Sequence, residues 1–142
     1  MDWRDRLSKS CGLKHLTIIF YFLAIPLFLS CGQKASSQNK LLSAQEFKNI
    51  INSTDVHLID VRTAGEFSQG HIEGALNIDF MARNFSEQLS QLSKDKPIVI
   101  YCRTGRRSGL STKTLAKLGF NDIYDLNGGT INWQKEGFKL VK

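Results

Sequence analysis

With 142 residues the chain has room for one domain and not for two. Its formal charge of +6 comes from 19 Lys and Arg against 13 Asp and Glu, and from residue 31 onward the balance falls to +4, with 15 against 11. No basic run is interleaved with aromatics, which excludes the usual footprint of a nucleic-acid binder.

The N-terminus is ordered in three parts. Residues 1–15 are polar and carry Arg4, Arg6, Lys9 and Lys14 against Asp2 and Asp5. Residues 16–29 (LTIIFYFLAIPLFL) are apolar apart from Thr17 and are interrupted only by Pro26. Ser30, Cys31 and Gly32 follow, then a polar stretch to Lys40. This is the order of a bacterial export signal, and its 14-residue apolar core is shorter than the roughly 20 residues of a membrane span. A cysteine after a small residue resembles a lipoprotein signal. That resemblance implies removal of residues 1–30, lipidation of Cys31, and a membrane-anchored domain in the cell envelope facing the periplasm. An uncleaved N-terminal anchor and a plain secretory signal are the alternatives. With Cys31 acylated, Cys102 is the one free thiol and no disulfide framework can form. Residues 31–40 read as a tether and 41–142 as the domain.

Ser43 followed by Glu46 is a capping-box pattern, and Phe47, Ile50 and Ile51 recur at helical spacing. Short apolar runs at 56–61, 75–78, 97–102 and 123–126 predict strands, the run PIVIYC being the strongest. Helical patterns lie between them, at 80–92, 106–118 and 130–136. Alternating strands and helices point to an α/β fold with a mainly parallel central sheet flanked by helices. Such sheets place reactive groups at the carboxyl ends of their strands, and Cys102 ends the strongest one.

The segment after that strand is Cys102-Arg103-Thr104-Gly105-Arg106-Arg107-Ser108. A loop turning at Gly105 leads into a helix near Arg106, whose free N–H groups and dipole place positive charge beside the thiol. The three arginines add full charges. Both effects favour the thiolate, so Cys102 should titrate below an ordinary cysteine, and the arginines should attract an anionic sulfur donor. The competing reading is a small core cysteine beside a solvated helix start. The Cys-x-x-Gly-x-Arg spacing and the concentration of charge favour the reactive thiol.

The loop at 102–108 (CRTGRRS) resembles the active-site loop of the rhodanese (sulfurtransferase) family. Residues 60–78 (DVRTAGEFSQGHIEGALNI) resemble its upstream signature, and Gly128-Gly129 with Trp133 resembles its closing motif. The resemblance covers most of 58–133. It implies a parallel sheet of five strands, Cys102 as nucleophile and persulfide carrier, and a pocket lined by the backbone amides of Arg103, Thr104, Gly105, Arg106 and Arg107. Arg107 is similar to the family's anion-binding or loop-stabilising arginine. The implied reaction moves a sulfane sulfur from thiosulfate or a small persulfide to cyanide, a thiol or a protein acceptor, with no cofactor. A non-catalytic carrier or docking module is the alternative. Cys-dependent phosphatases and arsenate reductases use a longer Cys-x5-Arg loop, whereas five residues on from Cys102 the next is Ser108.

Other polar residues read as structural. Asp60 and Arg62 share a strand face, with Glu66 close behind, and suggest a buried ion-pair network fixing the loop. Arg62 is also the best outlying candidate for the substrate pocket. His71 has no partner at metal-ligand spacing and suits a hydrogen-bonded turn, while His57 suits a satisfied strand position. No metal site is expected. Trp133 and Phe138 should cover the sheet, and Gly128-Gly129 should allow a tight strand-to-helix turn.

Overall fold

The computed structural model describes residues 38–142. The expected signal, Cys31 and most of the tether lie outside the described residues. In chain order the elements are β1 (Gln38–Leu42), α1 (Ala44–Ser53), β2 (His57–Asp60), α2 (Ala64–Gln69), β3 (Leu76–Asn77), α3 (Phe85–Ser90), β4 (Ile98–Tyr101), α4 (Arg106–Lys117), β5 (Asp122–Leu126) and α5 (Gly129–Lys135). The five strands form one sheet in the order β1-β5-β4-β2-β3, every neighbouring pair parallel. This is the expected α/β architecture.

β4 is buried at all four positions, as an inner parallel strand covered on both faces must be. On one face Ile59, Ile98, Ile100 and Ile123 pack with Leu89 of α3 and Leu115 of α4. On the other, Leu58, Val99, Tyr101 and Leu126 pack with Phe47 of α1 and Trp133 of α5. Trp133 and Phe138 cover that face as expected, their ring centroids 4.6 Å apart.

Three local expectations need correction. β1 begins at Gln38, inside the segment read as a tether to Lys40. It pairs with β5 from Gln38↔Asp122 to Leu42↔Leu126. An edge strand bonds on one side only, so its sequence (QNKLL) carries polar residues and lacks the apolar run of an inner strand. α2 was not expected. It starts at Thr63, whose hydroxyl accepts from the Glu66 N–H while Glu66 accepts from the Thr63 N–H, a second capping box. The helix expected from residue 80 starts only at Phe85. Asp79 instead folds the chain into turns, accepting from Met81 N–H at 2.8 Å through its side chain and from Ala82 N–H at 3.0 Å through its carbonyl. Among the described residues, no helix is long and apolar enough to cross a membrane.

Candidate functional site

The loop after β4 is held from both sides. Gly105 precedes α4 at φ +91°, a left-handed conformation that suits glycine. From below, α5 grips the loop backbone: Thr130 N–H donates to the Cys102 carbonyl at 2.9 Å and Ile131 N–H to that of Arg103 at 3.2 Å. Gly128 and Gly129, at φ +73° and +59°, make the tight turn expected of them. Gly129 does more, because a Cβ there would stand 2.3 Å from the Cys102 carbonyl oxygen. The glycine is what lets α5 come this close.

Cys102 is 1% exposed. Its sulfur accepts from Gly105 N–H at 3.1 Å and from the Ser108 hydroxyl at 3.6 Å. Burial pushes the thiol's pKa up, but the amides of Ser108, Thr104 and Gly105 and the Ser108 hydroxyl outweigh it, and the group titrates below an ordinary cysteine. The direction is the one expected. Of the two causes expected, the backbone N–H groups lead, and the Ser108 hydroxyl joins them.

The arginines divide by role. Arg107 is bound in a fork to Glu66, Nη1 to Oε2 at 2.7 Å and Nη2 to Oε1 at 2.8 Å. The same guanidinium holds the Glu66 carboxyl well down, to about 2. The fork ties α4 to α2, and the same guanidinium also acts on the Cys102 sulfur, which helps keep Arg107 charged. Arg103, Thr104 and Arg106 are exposed, and Gly105 is half-buried. Arg62 is buried, with Nε 2.9 Å and Nη2 2.6 Å from Asp60 Oδ2, and Nη2 also donates to the Gly70 carbonyl at 2.6 Å. The expected network thus exists as two separate pairs. Arg62 still lines, with Glu66, Arg103, Thr130, Ile131 and Gln134, a cleft of 340 Å³ beside the loop. A larger cleft of 520 Å³ lies around the start of β2, between Val56, Leu58, Trp133 and Phe138, away from Cys102.

The two histidines among the described residues, His57 and His71, are structural. The His71 backbone exchanges two 2.8 Å bonds with Val141, and its ring stacks on Phe67 at 3.8 Å. His57 Nε2 pairs with the Ser93 carbonyl at 3.2 Å. No group of His, Cys, Asp or Glu among the described residues is arranged to hold a metal.

Two residues at the site were not singled out from sequence. Ser108 is the loop's closing hydroxyl. Asp125 is buried on β5 at 4% exposure, and burial pushes its carboxyl up to about 6 against the Ser108 hydroxyl and the Leu126 amide. A signal for Asp125 was present, since it is an acid inside the apolar run Ile123–Leu126.

The rhodanese-like domain model matches residues 43–136. A sulfurtransferase of Allochromatium vinosum is 33% identical over 103 residues, covering 72% of this chain and 94% of the relative. The thiosulfate sulfurtransferase GlpE of Shewanella oneidensis is 31% identical over 99 residues, covering 70% of this chain and 96% of the relative. The crystal structure of a rhodanese-related protein from Thermoplasma volcanium superimposes with a TM-score of 0.64 at 29% identity, covering 72% of this chain and 97% of that one. With its sheet order, its Cys102 loop and the match over residues 43–136, the chain belongs to the rhodanese-like family.

Proposed function

We propose that the protein is a sulfurtransferase in which Cys102 carries the sulfur. The observation that carries this reading is the Cys102 sulfur, held 3.1 Å from the Gly105 N–H at the end of β4 and titrating low despite its burial. The thiolate attacks the outer sulfur of thiosulfate or a small persulfide, forming an S–S bond. The donor's own S–S bond breaks and its electron pair leaves on sulfite or a thiolate. Cyanide, a thiol or a protein thiol then attacks the outer sulfur, and the electron pair returns to Cys102. The exposed Arg103 and Arg106 supply attraction for an anionic donor, Arg62 shapes the pocket wall, Arg107 supports the sulfur from its pair with Glu66, and Thr104 and Gly105 present amides to the bound sulfur. The chemistry needs no cofactor. Lipidation at Cys31 would anchor the domain in the cell envelope, and palmitate labelling lost in Cys31→Ala tests that part.

The 1% exposure of Cys102 favours a second reading, in which the fold is kept as a non-catalytic docking module. The two are separated by incubating the chain with thiosulfate, glutathione persulfide or mercaptopyruvate. A carrier gains one sulfur, about 32 Da, on the Cys102 peptide and loses the adduct in Cys102→Ser. No adduct from any donor leaves the docking module. An aryl phosphate left uncleaved is the outcome expected of a loop one residue short of Cys-x5-Arg.

A further inference from the structure

α4 turns an undiluted positive stripe to solvent. Arg106, Leu110, Lys113 and Lys117 are all exposed, Leu110 at 45%. At 3.6 residues per turn they fall within an arc of about 60°. The opposite side of the helix carries the buried Ser108, Ser111, Thr112 and Leu115. α1, α2 and α3 each hold a glutamate in the first turn, whereas α4 holds none. No acid occurs anywhere from residue 103 to residue 121. Arg106 opposes the dipole of its own helix, and among the described residues it forms no ion pair, nor do Lys113 and Lys117. Helix stability therefore does not account for the stripe. β1 extends it on one flank. The Asn39 side chain donates to Thr112 at 3.1 Å, so this face of β1 lies toward α4. Alternation along the strand puts Leu41 on the same face, and it is 58% exposed.

Bare leucines beside cations with no acid among them suit a surface that meets anionic lipid, where apolar side chains enter the headgroup boundary and Lys and Arg face phosphates. The chain delivers this face to such a surface. The apolar residues 16–29 end nine positions before Gln38, where β1 begins, and that link reaches at most roughly 30 Å. With Cys31 as the anchor the link is shorter still. A tether of this length holds the domain at the bilayer, where a weakly attractive face becomes an occupied one. The geometry points to α4 and the flank of β1 as the face that rests on an anionic bilayer, Arg106, Lys113 and Lys117 meeting the headgroups and Leu110 and Leu41 the acyl boundary. The inference rests on the anchored reading of the N-terminus and is independent of whether Cys102 carries sulfur. The other face of the sheet, covered by α1 and α5, then turns to water. Lys48 and Lys139 border the larger cleft on that side.

The test is lysine footprinting of the full chain reconstituted in vesicles, of phosphatidylcholine alone or with phosphatidylglycerol added. A membrane-impermeant acetylating ester is applied and each lysine is read by mass spectrometry. On the anionic vesicles Lys113 and Lys117 should react roughly fivefold more slowly than on neutral ones, the factor that attraction of a single cation to such a surface supplies. Lys48 and Lys139 should react alike on both. Salt at about 1 M, where the Debye length is about 3 Å, should erase the difference. Leu110→Asp sets an acid within the arc and should abolish the protection of Lys113 and Lys117. Should that variant fail to fold, Lys113→Gln replaces it, with weaker protection of Lys117 as the expected result. Equal reactivity of the α4 lysines on the two vesicles overturns the proposal and leaves an acidic protein as the partner the stripe fits. Protection of Lys48 and Lys139 in their place overturns it as well, by turning the other face to the lipid. A chain that floats with neither vesicle overturns the anchored reading beneath the proposal.

Discussion

A buried carboxyl with one bare oxygen carries a cost that depends on pH. Asp125 titrates near 6 in the folded chain and near 3.9 in an unfolded one. Between those values the folded state holds the extra proton, so stability falls as pH rises through that window and the penalty is complete above it. A gap of this size is on the order of 2–3 kcal/mol. Melting curves from pH 4 to pH 8 should therefore slope downward in wild type and lose that slope in Asp125→Asn, and parallel curves would sink the assignment. Gly129 poses a steric problem of a different kind. In Gly129→Ala the new Cβ would come within 2.6 Å of the Arg103 carbonyl as well as striking Cys102, and backbone cannot yield as a side chain does. The expected loss is roughly 3–5 kcal/mol. Gly74 and Gly137 also have positive φ but open space around them, so alanine there should cost only about 1–2 kcal/mol of left-handed strain. Thermal melts of the three variants separate strain from collision.

Between elements, Glu66 joins α2 to α4. It caps its own helix through Thr63 and holds Arg107 of the other. Because the folded carboxyl lies well below its ordinary value, the stabilisation is present above about pH 4.5 and is lost as pH falls toward 2. Glu66→Gln should cost about 1–2 kcal/mol at neutral pH, discounted for partial exposure, and should flatten the acid limb of a denaturation curve. An unchanged acid limb would show that the pair contributes nothing. The two capping boxes also explain what was legible. Ser43-x-x-Glu46 precedes Phe47, Ile50 and Ile51, so a helix was evident. Thr63-x-x-Glu66 precedes only Phe67 before Ser68 and Gln69, and without an apolar stripe the six-residue α2 gave no period to detect. Cys102 and its loop were readable because β4 is an unbroken apolar run ending in a cluster of charge. Ser108 was obscured by its arginine neighbours, and the pairing of Arg107 with Glu66 spans 41 residues, a distance that local pattern cannot cross.

At the scale of the whole molecule, the family match begins at residue 43, yet β1 ends at Leu42 and pairs with β5 along five residues. A chain starting at Ser43 would leave β5 as a bare edge, with Leu126 and the strand behind Asp125 losing their cover. Such a truncation should melt well below the full chain and aggregate on concentration, which calorimetry and light scattering would register. Asn39 strengthens the case, since its side chain donates to Thr112 of α4 at 3.1 Å and so ties the edge to the helix that follows the site. β4 lies at the centre, paired on both sides and sealed on both faces. Amides so placed exchange with solvent only through the largest openings a domain undergoes. Cys102 stands one residue beyond, its carbonyl clasped by α5. Reagents too bulky to reach a sulfur that is 1% exposed must therefore wait for its loop to open. The rate at which a large disulfide reagent captures this sulfur then becomes a clock for that local opening.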